Sequence, residues 1–226
     1  MQPKMSDPAT TTLAKIAERI RHDARAVLLV RHAERPPLSA NDPTFGRDLP
    51  LTRRGVRDAM RFGRRMIRIF GDVEISLAAG ANRRCMETAF CILRGMRLDW
   101  EDEGCAVSAD PYLGGRSYYF ADVAERMKLA GEGNYIESLN TYFKTGRQRG
   151  FSPLAPATSL LVGHLLWHYD AHLFVGVTHD INVACFLAGN GAVDSFTTDS
   201  WPHFLDAAVL IASPDGNTEC RRVVHA

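Results

Sequence analysis

The apolar run Ala26-Val-Leu-Leu-Val30, followed at once by Arg31-His-Ala-Glu-Arg-Pro-Pro37, constrains this chain more than any other stretch. The run is short enough to be a strand buried on both faces, as in a sheet covered by helices on each side. The paired prolines then forbid further regular structure, because they fix φ and lack a backbone N–H. In open α/β sheets, charged loops at the carboxyl ends of buried strands are where binding sites collect. A second stretch repeats the pattern: Leu173-Phe-Val-Gly-Val177 ends in Thr178-His179-Asp180 and feeds a helical segment to about Ala188.

The intervening sequence alternates strand and helix signals. Leu13, Ile16, Ala17 and Ile20 recur at helical spacing. Thr52 is placed to cap a helix running to about Phe70, with Val56, Ala59, Met60, Gly63, Ile67 and Phe70 on its core face. Glu74–Ala78 reads as a strand, and Asn82 as the cap of a helix that buries Met86, Ala89, Phe90 and Leu93. Residues 110–157 change character, with many aromatics among glycines, and predict an excursion with helices near 118–130 and 135–148. A helix near 157–168 and strands at Ala207–Ala212 and Arg222–Val224, joined through Pro214-Asp-Gly216, complete the pattern. This order predicts an α/β sandwich.

Composition narrows the function classes. At 226 residues, 46% hydrophobic and 23% charged, residues 1–226 suit one domain with an excursion at about 110–157. The net charge of +1 does not advertise a polyanion partner, and the arginines from Arg53 to Arg68 read as a solvated helix face. No nucleic-acid or membrane partner is therefore expected. The N-terminal residues lack the apolar centre of a secretory leader, and no apolar run approaches the roughly 20 residues that span a bilayer. The five cysteines, Cys85, Cys91, Cys105, Cys185 and Cys220, are odd in number and form no CxxC pair, which points to a reducing, cytoplasmic setting.

Histidines and arginines at strand ends suit one chemistry in particular. Metal-free hydrolysis of a phosphomonoester needs several fixed cations for the phosphoryl oxygens, an in-line nucleophile and an acid for the leaving oxygen. A neutral imidazole serves as nucleophile when its other nitrogen donates to a backbone carbonyl. Arg31, His32 and Arg35 end one strand, His179 and Asp180 end another, and Arg84 lies near the start of a helix, where backbone N–H groups favour an anion. His164, His168 and His172 recur every four residues, but Asp170 interrupts the helix ahead of a strand, so no metal site is expected there.

These segments also resemble a known family. Arg31–Pro37 is similar to the RHGxRxP signature of the histidine phosphatase superfamily, in its acid phosphatase branch. Leu51-Thr-Arg-Arg-Gly55 with Gly63 resembles its LTxxG helix start, and Arg84-Cys-Met-Glu-Thr88-Ala89 its RxxxTA helix. Thr178-His179-Asp180 and Trp201-Pro202 resemble the His-Asp motif and closing segment of that branch. The resemblance implies a three-layer α/β/α sandwich with a mixed, largely parallel sheet and a small helical cap insertion. It implies that His32 takes the phosphoryl group, that Arg31, Arg35, Arg84 and His179 hold its oxygens, and that Asp180 protonates the leaving group. No cofactor is implied, and the partner would be a small-molecule phosphate ester. The chain departs from the pattern at Ala33, which replaces a glycine, and at Glu34, which matches the mutase-like branch. Glu34 or Glu103 therefore rivals Asp180 as the acid. Arg83 is the alternative to Arg84, and Glu34, Tyr112 and Arg116 are candidates for the substrate pocket. A mutase-type phosphotransferase and an inactive phosphate-ester-binding module are the alternative functions.

Overall fold

A computed structural model describes residues 10–38, 46–96, 107–119 and 135–224 of the chain. In chain order the first elements are β1 (Thr10–Thr11), α1 (Leu13–Ile20), β2 (Arg25–Arg31), α2 (Arg53–Phe70), β3 (Ile75–Ala79) and α3 (Arg83–Gly95). There follow β4 (Ser108–Ala109), a π-helical turn (Tyr112–Arg116), α4 (Tyr135–Thr145) and α5 (Leu154–His168). The last elements are β5 (Leu173–Thr178), α6 (Asp180–Gly189), β6 (Ala207–Ala212) and β7 (Thr218–Val223).

The strands form one mixed sheet of order β1-β7-β6-β2-β5-β3-β4. β6 is antiparallel to both neighbours, and every other pairing is parallel. Side chains alternate across a strand, so Leu28 and Val30 of β2 enter a core shared with α1, α2 and α3, while Val27 and Leu29 enter one shared with α4, α5 and α6. Both faces are covered, which is why β2 and β5 are apolar at every interior position. This is the three-layer sandwich with a largely parallel sheet.

Register is what converges the two histidine segments. β2 and β5 are adjacent and parallel, with Arg31 opposite Thr178. His32 and His179 therefore leave neighbouring strands at the same level. β3 lies on the far side of β5, with Ala79 opposite Val177, so α3 begins beside the same edge.

Two helix faces differ from the sequence reading. In α2 the buried residues are Gly55, Ala59, Phe62, Gly63, Met66 and Phe70, while Val56, Met60 and Ile67 are half-buried. The helix carries more apolar residues than one face holds, and contact with α3 selects the side carrying Gly63, where an added Cβ would lie 2.0 Å from the Ile92 carbonyl oxygen. In α3 the large Phe90 is 40% exposed, whereas small Cys85, Thr88 and Ala89 are buried and let the helix close on the sheet. Helix α5 starts at Leu154, ahead of the expected 157, and Thr10–Thr11 pairs with β7, which no periodicity announced. Most of the helix expected near 118–130 lies outside the described residues. No described helix is long and apolar enough to cross a membrane.

Candidate active site

His32 sits just past β2 and is only 3% exposed. Its Nδ1 lies 2.8 Å from the Ala33 carbonyl oxygen, which can only accept, so Nδ1 carries the proton and donates. The lone pair is left on Nε2, which accepts from Arg84 Nε at 3.2 Å. Ala33 is held in turn, because its N–H donates to Thr88 Oγ1 at 3.0 Å. Burial, with the charges of Arg84 and Arg31, pushes the His32 pKa down from 6.5 to about 3 against the opposing pull of the Ala33 hydrogen bond and Asp180. The ring is a neutral imidazole at ordinary pH.

His179, at the matching end of β5, meets His32 edge-on with ring centroids 5.4 Å apart. Its Nδ1 lies 3.5 Å from a terminal nitrogen of Arg84, and its Nε2 lies 3.3 Å from Asn82 Oδ1. Arg84 thus spans the two imidazoles from the first turn of α3. Neighbouring Arg83 turns outward and donates to Glu87 at 2.7 Å, so of the two arginines it is Arg84 that stands between the histidines.

Arg31 and Arg35 complete the cationic wall. Arg31 donates to the Pro202 carbonyl at 2.6 Å and reaches Asp180 Oδ2 at 3.2 Å. Arg35 is half-buried, and burial followed by the charges of Arg84 and Arg31 lowers its pKa, with Asp180 opposing. Burial also lowers that of Arg84, against the raising effects of Cys85, Asp180 and Tyr119. The Nε atoms of Arg31 and Arg35 are buried with no hydrogen-bond partner among the described residues. Three guanidinium groups around two imidazoles, with Asp180 as the carboxylate among them, form a site that favours an anion with several oxygens.

Asp180 opens α6. Its Oδ1 accepts from the Ile181 N–H at 2.9 Å and its Oδ2 from Trp201 Nε1 at 3.2 Å. It is therefore both first residue of a helix and neighbour of Arg31. Cys85 Sγ lies 3.8 Å from the His179 ring nitrogens, but burial pushes its thiol up to about 12, so it remains protonated.

Two pocket candidates from the sequence have partners of their own. Glu34 Oε1 accepts from Thr52 Oγ1 at 2.7 Å, its Oε2 lies 3.8 Å from Arg54 Nε, and its carbonyl accepts from the Thr52 N–H at 2.9 Å. The residue ties the loop to the start of α2, where Gly55 is required because an added Cβ would stand 2.2 Å from the Glu34 carbonyl oxygen. Tyr112 stacks on His164 with centroids 4.2 Å apart and is not in ring contact with His32. His164 itself bonds Asp110 at 2.7 Å, and no group of three or more side chains able to hold a metal ion occurs among the described residues. Glu103 and the side chain of Arg116 lie outside what is described.

Sequence reasoning missed two neighbours of the site. Asn82 occupies the N-cap position of α3 but makes no capping bond, and turns to His179 instead. An Asn before a helix reads the same in either role. Phe204 packs against His32 with centroids 5.7 Å apart, and a Phe in the irregular stretch ahead of β6 gives no sequence signal of its own.

The sheet and its two helix layers make the phosphoglycerate mutase-like fold. A phosphoglycerate mutase from Bacillus anthracis matches with a TM-score of 0.58 at 13% identity, over 88% of this chain and 92% of that one. YhfR from Bacillus stearothermophilus matches with 0.54 at 16% identity, over 86% and 94%. A mycobacterial glucosyl-3-phosphoglycerate phosphatase matches with 0.52 at 14% identity, over 88% and 97%. No family model matches the sequence, and no curated protein is similar to it. The solved neighbours include a mutase as well as a phosphatase, so the shared fold does not select one branch.

Proposed function

We propose that the chain is a histidine phosphatase, a metal-independent phosphomonoester hydrolase acting through a phosphohistidine at His32. One observation carries this reading: the imidazole of His32 is locked with its proton on Nδ1 and its lone pair facing an arginine-lined, anion-favouring site. Nε2 attacks phosphorus as the ester P–O bond breaks, and the departing alcohol oxygen takes a proton from Asp180. Water then attacks the phosphorus and returns a proton to Asp180, and the N–P bond breaks to release inorganic phosphate. Arg31, Arg35, Arg84 and His179 hold the non-bridging oxygens throughout, where charge builds.

The substrate in this reading is a small phosphate ester. The thiols of Cys85, Cys91, Cys185 and Cys220 are free, which fits a reducing, cytoplasmic setting.

Rapid-quench labelling with a phosphomonoester radioactive at phosphorus tests the proposal. Acid-labile, base-stable label should appear on the wild type and be absent from His32→Ala. A single turnover should release inorganic phosphate; return of the label to substrate or a second alcohol would make the enzyme a mutase. Label at the wild-type level on His32→Ala would remove His32 as the nucleophile.

A further inference from the structure

One aromatic ring touches both the nucleophile and the cationic wall yet has no part in the chemistry above. Phe204 lies 5.7 Å from His32, ring centroid to centroid, and the Arg31 guanidinium carbon stands 4.4 Å from the Phe204 centroid. The ring is 38% exposed, whereas Phe196 and Trp201 of the same connection are 3% and 8% exposed. An apolar side chain gains by leaving water, so its exposure beside a reacting nitrogen asks for a cause.

The backbone supplies one. Phe204 is held in a tight turn in which the Asp206 N–H donates to the His203 carbonyl at 3.0 Å and the His203 N–H donates to Asp206 Oδ2 at 2.9 Å. Leu205 takes the left-handed conformation, φ 64°, which brings the Cβ of any L-residue too close to the following carbonyl oxygen. Its N–H is anchored on the Arg31 carbonyl at 3.2 Å. A strained and tethered turn beside a site suggests a use for what it presents.

Arg31 fixes which side of the substrate meets the ring. The same guanidinium that lies against Phe204 reaches Asp180 Oδ2 at 3.2 Å. The ester oxygen must leave beside Asp180 to be protonated. The alcohol attached to it therefore departs along the Arg31 edge, where Phe204 is an exposed apolar surface among the described residues.

We propose that Phe204 is a specificity-determining residue that stacks on a flat ring of the leaving alcohol, making the preferred substrate a monophosphate ester of a ring-bearing alcohol. The inference rests on the hydrolase reading of His32. Offset and edge-on ring pairs are favourable beyond simple burial, enough for a discrimination of about tenfold.

The test compares 2-phenylethyl phosphate with ethyl phosphate, whose alcohols differ in the ring and little in basicity. Wild type should prefer the ring-bearing ester in kcat/KM. Phe204→Ala should shrink that preference by about tenfold, and Phe204→Tyr should restore it. Inhibition by inorganic phosphate reports the cationic wall separately. If Phe204→Ala weakens phosphate inhibition and both esters in equal proportion, Phe204 merely braces Arg31 and the proposal is overturned. Equal wild-type activity on the two esters overturns it as well. If His32→Ala hydrolyses both esters as wild type does, the parent reading has failed, and this one with it.

Discussion

The described residues hold two histidine clusters that use the same ring to opposite ends. At His32 the Nδ1 proton goes to a neutral carbonyl, Nε2 faces Arg84, and the nearest charges are mainly cationic. At His164, on α5, Nε2 lies 2.7 Å from Asp110 Oδ2, and the ring is stacked between Tyr112 and His168. Asp110 is 3% exposed and also accepts from Tyr169 Oη and the Tyr112 N–H, each at 2.7 Å. Burial alone would raise its carboxyl, but the bonds from His164, Tyr169 and Tyr112 hold it below the ordinary range. An ionised carboxylate only accepts, so the His164 proton is committed to it. One histidine is left with its lone pair turned to a cation, on Arg84; the other is a brace.

The brace supports the site indirectly. Asp110 fixes the start of the π-helical turn, and the Leu113 carbonyl in that turn accepts from Thr178 Oγ1 at 2.5 Å and Asn182 Nδ2 at 3.2 Å. Thr178 precedes His179, and its own carbonyl accepts from the His32 N–H at 2.8 Å. The His164 cluster therefore steadies the strand end from which both site histidines project.

The sharpest way to break the comparison is to exchange the losses. His32→Ala should reduce kcat by at least about a thousandfold while the protein still unfolds cooperatively. His164→Ala should leave kcat within about tenfold and destabilise the fold by about 1–3 kcal/mol, through the loss of one of the three bonds that hold a buried carboxylate. Turnover surviving in the first variant, or vanishing in a well-folded second, would reverse the assignment. Asp110→Ala should be the more destabilising change in the brace, by about 2–4 kcal/mol, because it strands three donors at once. Its denaturation midpoint should fall further than that of His164→Ala, and equality of the two would show that His164 is the one partner that matters.

The two clusters were not equally legible in the sequence. His32 and His179 each close a continuous apolar run, and a fully buried strand has few places to put a charged residue except its end. Their convergence follows from β2 and β5 being neighbours in register, which the strand–helix order suggests but does not dictate. A cation at the start of α3 was readable, but Arg83 shares that place, and only the spacing to Thr88-Ala89 favoured Arg84. Asp110, by contrast, lies in a short connection after a two-residue strand and meets partners on α5 and beyond it, so nothing local marks it. The regular spacing of His164 and His168 places them on one helix face, where their rings stack 5.0 Å apart. The Glu34 carboxylate bonds Thr52 rather than His32, and nearness in sequence to His32 says nothing about side-chain direction once the chain leaves regular structure.

The smallest effect separates the clusters by pH. The His32 pKa is about 3 in the native protein against an ordinary 6.5, because burial and the charges of Arg84 and Arg31 outweigh the hydrogen bond to Ala33. Between those values the unfolded chain binds a proton that the native protein refuses, so stability is lost as pH falls through this window. The slope that one such group contributes is at most about 1.4 kcal/mol per pH unit. Replacing His32 by Asn removes the titration, while other groups remain common to both proteins and largely cancel in the difference. Urea midpoints at pH 7 and pH 5 should therefore fall less in His32→Asn than in wild type. Over the same range the nucleophile stays neutral, so any acid loss of kcat/KM above about pH 4 must come from a group other than His32. Parallel pH dependences of stability in the two proteins would mean that the imidazole takes up its proton in the native site as readily as in the unfolded chain, and the distinction drawn from its surroundings would fall.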